Sequence, residues 1–165
     1  MIRNDNIQNL LTALKDENSF IRSQAVKSLE KLSDKSVIPV LIDIMLNDDA
    51  PHVRHAVAAA FQRQLADKSA VPALIKILKD PDLYVRGAAA AALGIIKDKA
   101  AVPYLCEALK DKEGHVRWAA APPLGQIGDI SAVPALRKLL DDEAELPNVK
   151  TAAIRALKQL EKKQK

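Results

Sequence analysis

Leucine and its apolar equivalents recur along the chain in two interleaved series. One runs Leu10, Leu41, Leu74, Leu105 and Leu136, each followed four residues on by Leu14, Met45, Leu78, Leu109 or Leu140. An i, i+4 pair lies on one face of a helix, so this series predicts a helix with a single buried stripe in every copy. The other runs Leu29, Phe61, Leu93, Leu124 and Leu157, each preceded four residues earlier by Ala25, Val57, Ala89, Ala120 or Ala153. Small side chains at that place let a neighbouring helix approach closely. Polar residues separate the stripes, as in the acidic turn Asp80-Pro81-Asp82. Each copy therefore reads helix, turn, helix, loop.

Three further markers keep the same clock. Prolines stand at 39, 72, 103 and 134, at intervals of 33, 31 and 31, and aspartates at 34, 67, 98 and 129 repeat those intervals. A basic series, Arg22, Arg54, Arg86, Arg117 and Lys150, is spaced 32, 32, 31 and 33. The prolines fall in the first turn of the first helix, where a missing N–H leaves no hydrogen bond unmade. A lone helix pair would expose its second apolar stripe, so each repeat needs its neighbours. The prediction is an all-α, right-handed superhelix of five two-helix repeats in one domain spanning 1–165, with repeats at about 1–34, 35–67, 68–98, 99–129 and 130–165.

Composition agrees: aromatic residues are 3% of the chain and only 5 of 165 residues are glycine, as suits closely packed helices. Net charge is +4, with Lys158, Lys162, Lys163 and Lys165 gathered in a tail that reads as a solvated terminus. The single cysteine, Cys106, shares its repeat position with Ile42 and Ile75 and reads as a small buried hydrophobe. The opening MIRNDNIQ has no apolar core of a secretory signal and no stretch is long enough to cross a bilayer, which predicts a cytoplasmic protein.

The period also suits ankyrin and tetratricopeptide repeats, but their side-chain signatures are absent. The runs GDISAVPALRKLLDD and DPDLYVRGAAAAALG instead resemble the HEAT repeat in the short form known from phycobilisome lyases. Pro72, Asp80 and Arg86, and likewise Pro103, Asp111 and Arg117, match its recurring proline, turn aspartate and second-helix arginine. The resemblance implies that Asp16, Asp80 and Asp111, with Arg22, Arg54, Arg86 and Arg117, form a structural ladder of charged hydrogen bonds. Asn47 and Asp48 in repeat two, and Glu145 to Asn148 in repeat five, depart from the pattern.

A di-iron hydroxylase built from similar repeats carries His-Glu pairs just after the corresponding arginines. Here those places hold Ser23-Gln24, His55-Ala56, Gly87-Ala88, Trp118-Ala119 and Thr151-Ala152, which excludes that site. His52, His55 and His115, with one cysteine, offer no zinc spacing, and no nucleophile elbow or phosphate loop occurs. His52 and His115 read as surface residues, and Gly125 and Gly128 as a helix end. No catalytic residue, metal or cofactor is implied.

In the resembling family the second helices line the concave face. That implies a groove with an apolar floor at Ala59, Gly87 and Ala91, and with Lys27, Lys31 and Arg155 toward its rims. Trp118 either points into this groove as an anchor or fills space against the next repeat, and His55 is a second candidate. Pro122-Pro123 interrupt the alanines found in other copies, which predicts a kink beside Trp118. These features favour a non-enzymatic scaffold that binds a partner protein. The alternatives are a subunit of a bilin lyase-like complex meeting a bilin or phycobiliprotein, by resemblance alone, and a DNA-binding array, for which the inner row is too neutral.

Overall fold

The computed structural model describes residues 2–162, with side chains from residue 6 onward. Its first repeat pairs α1 (Ile2–Ala13) with α2 (Ser19–Leu32), and the second pairs α3 (Ile38–Asn47) with α4 (Pro51–Arg63). Then follow α5 (Val71–Ile77) with α6 (Leu83–Ile96), α7 (Val102–Ala108) with α8 (Gly114–Ile127), and α9 (Val133–Asp141) with α10 (Pro147–Lys162). Among the described residues there is no strand, and the fold is an all-α superhelix. No helix among them is long and apolar enough to cross a membrane.

The local chemistry of each joint explains the periodic markers. Asp34, Asp67, Asp98 and Asp129 accept from the backbone N–H groups of Ser36, Ser69, Ala100 and Ser131, and so open a short 3-10 turn before α3, α5, α7 and α9. Pro39, Pro72, Pro103 and Pro134 then occupy the first helical turn, their fixed φ already suited to it. Asn18 and Asp82 cap α2 and α6 in the same manner, and Pro51 starts α4. The left-handed residue after α8 is Gly128, at φ 81, whereas Ser33 and Lys97 adopt that conformation without a glycine after α2 and α6. Gly125 is not part of this helix end. It lies within α8, where a Cβ would sit 2.9 Å from the Ala156 Cα of α10.

The second helices α2, α4, α6, α8 and α10 pack directly on one another in an unbroken row, while the first helices touch each other sparsely. A stack that is tight on one side and open on the other curves toward the tight side, so the second helices form the inner layer. Their closeness comes from Ala25, Ala89, Ala120 and Ala153, all buried, and from two glycines. A Cβ on Gly94 would lie 2.9 Å from both Cα and Cβ of Pro123, so the proline ring occupies space that a larger residue on α6 would need. Pro122 and Pro123 do not break α8, which continues as one helical element to Ile127.

The core lies between the layers. Leu41, Met45, Leu74, Leu105 and Leu136 from the outer helices meet Leu29, Phe61, Leu93 and Leu124 from the inner ones, all without solvent exposure. In the last repeat Leu160, a turn beyond Leu157, is the fully buried leucine, and Leu157 is only partly covered.

Candidate functional site

Two features of the inner layer bear on function: a row of buried arginines that fixes the repeats, and a ledge of exposed rings beside it. Each arginine makes the same four hydrogen bonds, and Arg22 adds a fifth from Nη2 to Asp49 Oδ1. Arg54 Nε and Nη2 donate to Asp80 Oδ2 and Oδ1 at 2.7 and 2.9 Å, while Nη1 donates to the Asp48 and Asp49 carbonyls at 2.8 and 3.2 Å. Arg86 likewise holds Asp111 at 2.7 and 2.9 Å and the carbonyls of Asp80 and Pro81. Arg22 holds Asp48 at 2.7 and 2.8 Å, and Arg117 holds Glu145 at 2.6 and 2.7 Å. A planar fork satisfies two geometries at once, tying its own turn and the next repeat's turn together.

The acceptors therefore include Asp48 and Glu145, which the sequence marks only as irregularities. Asp16 has a different place: its carbonyl accepts from Arg22 and its carboxylate from the Asn18 N–H. Burial pushes the Asp48 and Asp111 carboxyls up, but their arginine bonds and the backbone N–H groups they accept outweigh it, so both titrate below the usual range. The Arg117 hydrogen bonds hold the Glu145 carboxyl down in the same way. Lys150 stands at the arginine position of the fifth repeat.

The ledge begins two residues before each arginine, at Phe20, His52, Tyr84 and His115, all exposed. Because that offset recurs on the first turn of successive inner helices, the rings fall in a row along one edge of the groove. The Tyr84 and His115 rings meet edge to face with centroids 5.4 Å apart, and His115 lies tilted against Trp118 at 6.0 Å. Trp118 is 44% exposed and Tyr84 59%. The signal for this row was present as four ring-bearing residues on the arginine's clock. It is missed when attention goes only to the positions after the arginine.

The other groove residues fall into two groups. Ala59 and Gly87 are buried and form no open floor, since the His115 imidazole lies over Gly87 at 3.1 Å from where its Cβ would stand. Ala91 and Pro122 are half-buried, and Lys27, Lys31 and Arg155 are exposed. Pro51, His52, His55, Asp82 and Tyr84 line one recess of about 310 Å³ between α4 and α6. A second, of about 410 Å³ between α8 and α10, has Trp118 and Pro122 on one wall and Asn148, Arg155 and Gln159 opposite. Desolvation pushes the His55 pKa down, helped by the nearby Arg63 and His115 and opposed by Asp82, so its imidazole stays neutral at neutral pH. Cys106 is half-buried on the outer layer and burial pushes its thiol up. Among the described residues no three His, Cys, Asp or Glu side chains are grouped to hold a metal ion.

The fold and the arginine rungs define a helical-repeat solenoid with an open inner face. The HEAT repeat model matches residues 2–62, 38–121 and 115–165, and the chain belongs to that family. Among solved structures it is similar to the complex of CpcE and CpcF of phycocyanin lyase from Nostoc sp. PCC7120, with 28% identity and a TM-score of 0.82. That match covers 94% of this chain but 65% of the other, so the chain spans less than two thirds of the lyase subunit's length. Human deoxyhypusine hydroxylase in complex with glycerol shares 20% identity at a TM-score of 0.64, over 94% of this chain and 74% of that one. A designed armadillo repeat protein in complex with the peptide (KR)4 shares 18% at 0.68, over 96% and 83%. These last two likenesses are of fold alone. No curated protein matches the sequence.

Proposed function

We propose that this protein is a non-enzymatic scaffold that holds a partner protein along its inner face, anchored on the ledge of Tyr84, His115 and Trp118. The observation that carries the reading is the contiguity of those rings: they stay solvent-facing in a chain that otherwise buries most of its large apolar side chains. Exposed aromatic surface of this kind is what interface hot spots are made of, since it offers area with little side-chain entropy to lose. The Asp82 carboxylate in the recess between α4 and α6 argues against a DNA-binding array, which needs a basic stripe. The test is affinity capture from host lysate with wild type and Trp118→Ala side by side. A partner held by wild type and released by the variant supports the ledge; one held equally by both moves the interface elsewhere.

A second reading is supported by the similarity to the phycocyanin lyase complex, which would make the chain a subunit that meets a bilin or phycobiliprotein beside a partner subunit. Titrating a linear tetrapyrrole into the protein checks it. A shifted absorption band, abolished by Trp118→Ala, favours this reading, and an unchanged band removes it.

A further inference from the structure

The two recesses beside Tyr84 and Trp118 differ in charge. Between α4 and α6, the walls are Tyr84, His52 and His55, and the charged group is Asp82. One Asp82 oxygen, Oδ1, is committed to the Tyr84 and Val85 N–H groups, which leaves Oδ2 outside those bonds. An aromatic face beside a carboxylate is the environment that an arginine or lysine head seeks. Between α8 and α10, the charged group is Arg155, exposed and without hydrogen bond or ion pair among the described residues, with Asn148 and Gln159 as further amides. The Arg155 guanidinium and those amide N–H groups suit a carboxylate.

From this complementarity we infer that the ledge receives an extended segment of a partner protein, with a basic side chain in the Asp82 recess and an acidic one in the Arg155 recess. The inference rests on the scaffold reading and specifies its ligand. The recesses are two repeat steps apart, and inner helices pack at about 8–10 Å, so the span is about 20 Å. An extended chain rises about 3.3 Å per residue, which places the two charged residues about six positions apart. Tyr84, His115 and Trp118 then run under the intervening residues.

Four synthetic peptides test this, each with two marked positions six apart in an otherwise alanine, proline and serine chain: Arg/Glu, Arg/Arg, Glu/Glu and Ala/Ala. Trp118 is the only tryptophan, so its emission reports binding directly. The Arg/Glu peptide is expected to bind about threefold or more tighter than any other, the size an exposed ion pair supplies. Asp82→Asn, which keeps the cap, weakens the Arg/Glu and Arg/Arg peptides and spares Glu/Glu. Arg155→Gln weakens Arg/Glu and Glu/Glu and spares Arg/Arg. Four equal affinities, or variants that affect all peptides alike, overturn the charge assignment while leaving the ledge as a binding surface. No change in Trp118 emission with any peptide at millimolar concentration overturns the assignment, and the lysate capture with Trp118→Ala then decides separately whether the ledge binds at all.

Discussion

Replacing Asp80 by alanine removes the acceptor of a rung near the middle of the stack. The Arg54 and Asp80 side chains retain only 11% and 4% exposure. In the variant, Nε and Nη2 of Arg54 lose their partners inside the protein, and the Asp82 N–H loses the oxygen that capped it. Stranding one member of a buried ion pair costs about 3–5 kcal/mol. A domain of this kind holds about 5–15 kcal/mol in total, so the loss is a large fraction of it. Arg54→Met strands the Asp80 carboxylate and frees the Asp48 and Asp49 carbonyls, with a similar cost. The double variant removes both charges, so its loss should fall below the sum of the singles by about 1 kcal/mol or more. Urea titration followed by far-ultraviolet circular dichroism gives all three values, and its slope adds a second reading. If the rung makes repeats two and three unfold together, the single variants should also show a smaller slope as cooperativity breaks between them. Single variants that each lose under about 1 kcal/mol and add within about 0.5 kcal/mol would refute the claim that the rung holds the stack.

Acid should act through the same rungs. Asp48, Asp111 and Glu145 titrate below the ordinary range when folded, so the unfolded chain takes up protons first as pH falls; their stabilisation is complete above about pH 5, begins to fade near pH 4 and is lost through their lower native values. Melting temperature against pH should show this decline, with a shallower slope in Asp48→Asn. Gly94→Ala should destabilise by about 1–3 kcal/mol despite the better helix propensity of alanine, because the new methyl meets the Pro123 backbone at 2.9 Å. Gly87→Ala should be neutral or stabilising by up to about 1 kcal/mol, since the atom in its way is the exposed His115 ring, which can swing aside; thermal melts of the two variants distinguish these cases. Cys106, its thiol pushed up by burial, should react with iodoacetamide more slowly than free cysteine at neutral pH and regain the ordinary rate in urea.

The helical periodicity was legible because the constraints behind it are local and act on every copy. Proline at 39, 72, 103 and 134 is selected by a helix start, aspartate at 34, 67, 98 and 129 by a 3-10 turn, and leucine by a buried stripe. Acceptors of the arginine bonds were harder to read, because they depend on the length of each turn. The residue that meets the guanidinium lies 26 positions on from Arg22 and Arg54, 25 from Arg86 and 28 from Arg117. At the last of these a glutamate replaces the aspartate, its extra methylene reaching across a longer loop. The groove floor was misread at Gly87 for a related reason. A glycine in sequence looks like open space, and only the neighbouring repeat shows that His115 covers it.

The arginine rung has a direction, since every internal unit donates forward to the next turn and receives from the arginine behind it. A unit of this kind carries both its plug and its socket. Duplicating one internal copy at the gene level would therefore insert a repeat that fits its neighbours at both faces without any compensating substitution. The ring-bearing position would be copied with it, so the ledge would lengthen in step with the chain. The reach of such a surface can change by whole repeats in a single genetic event, while the chemistry at each recess changes one residue at a time.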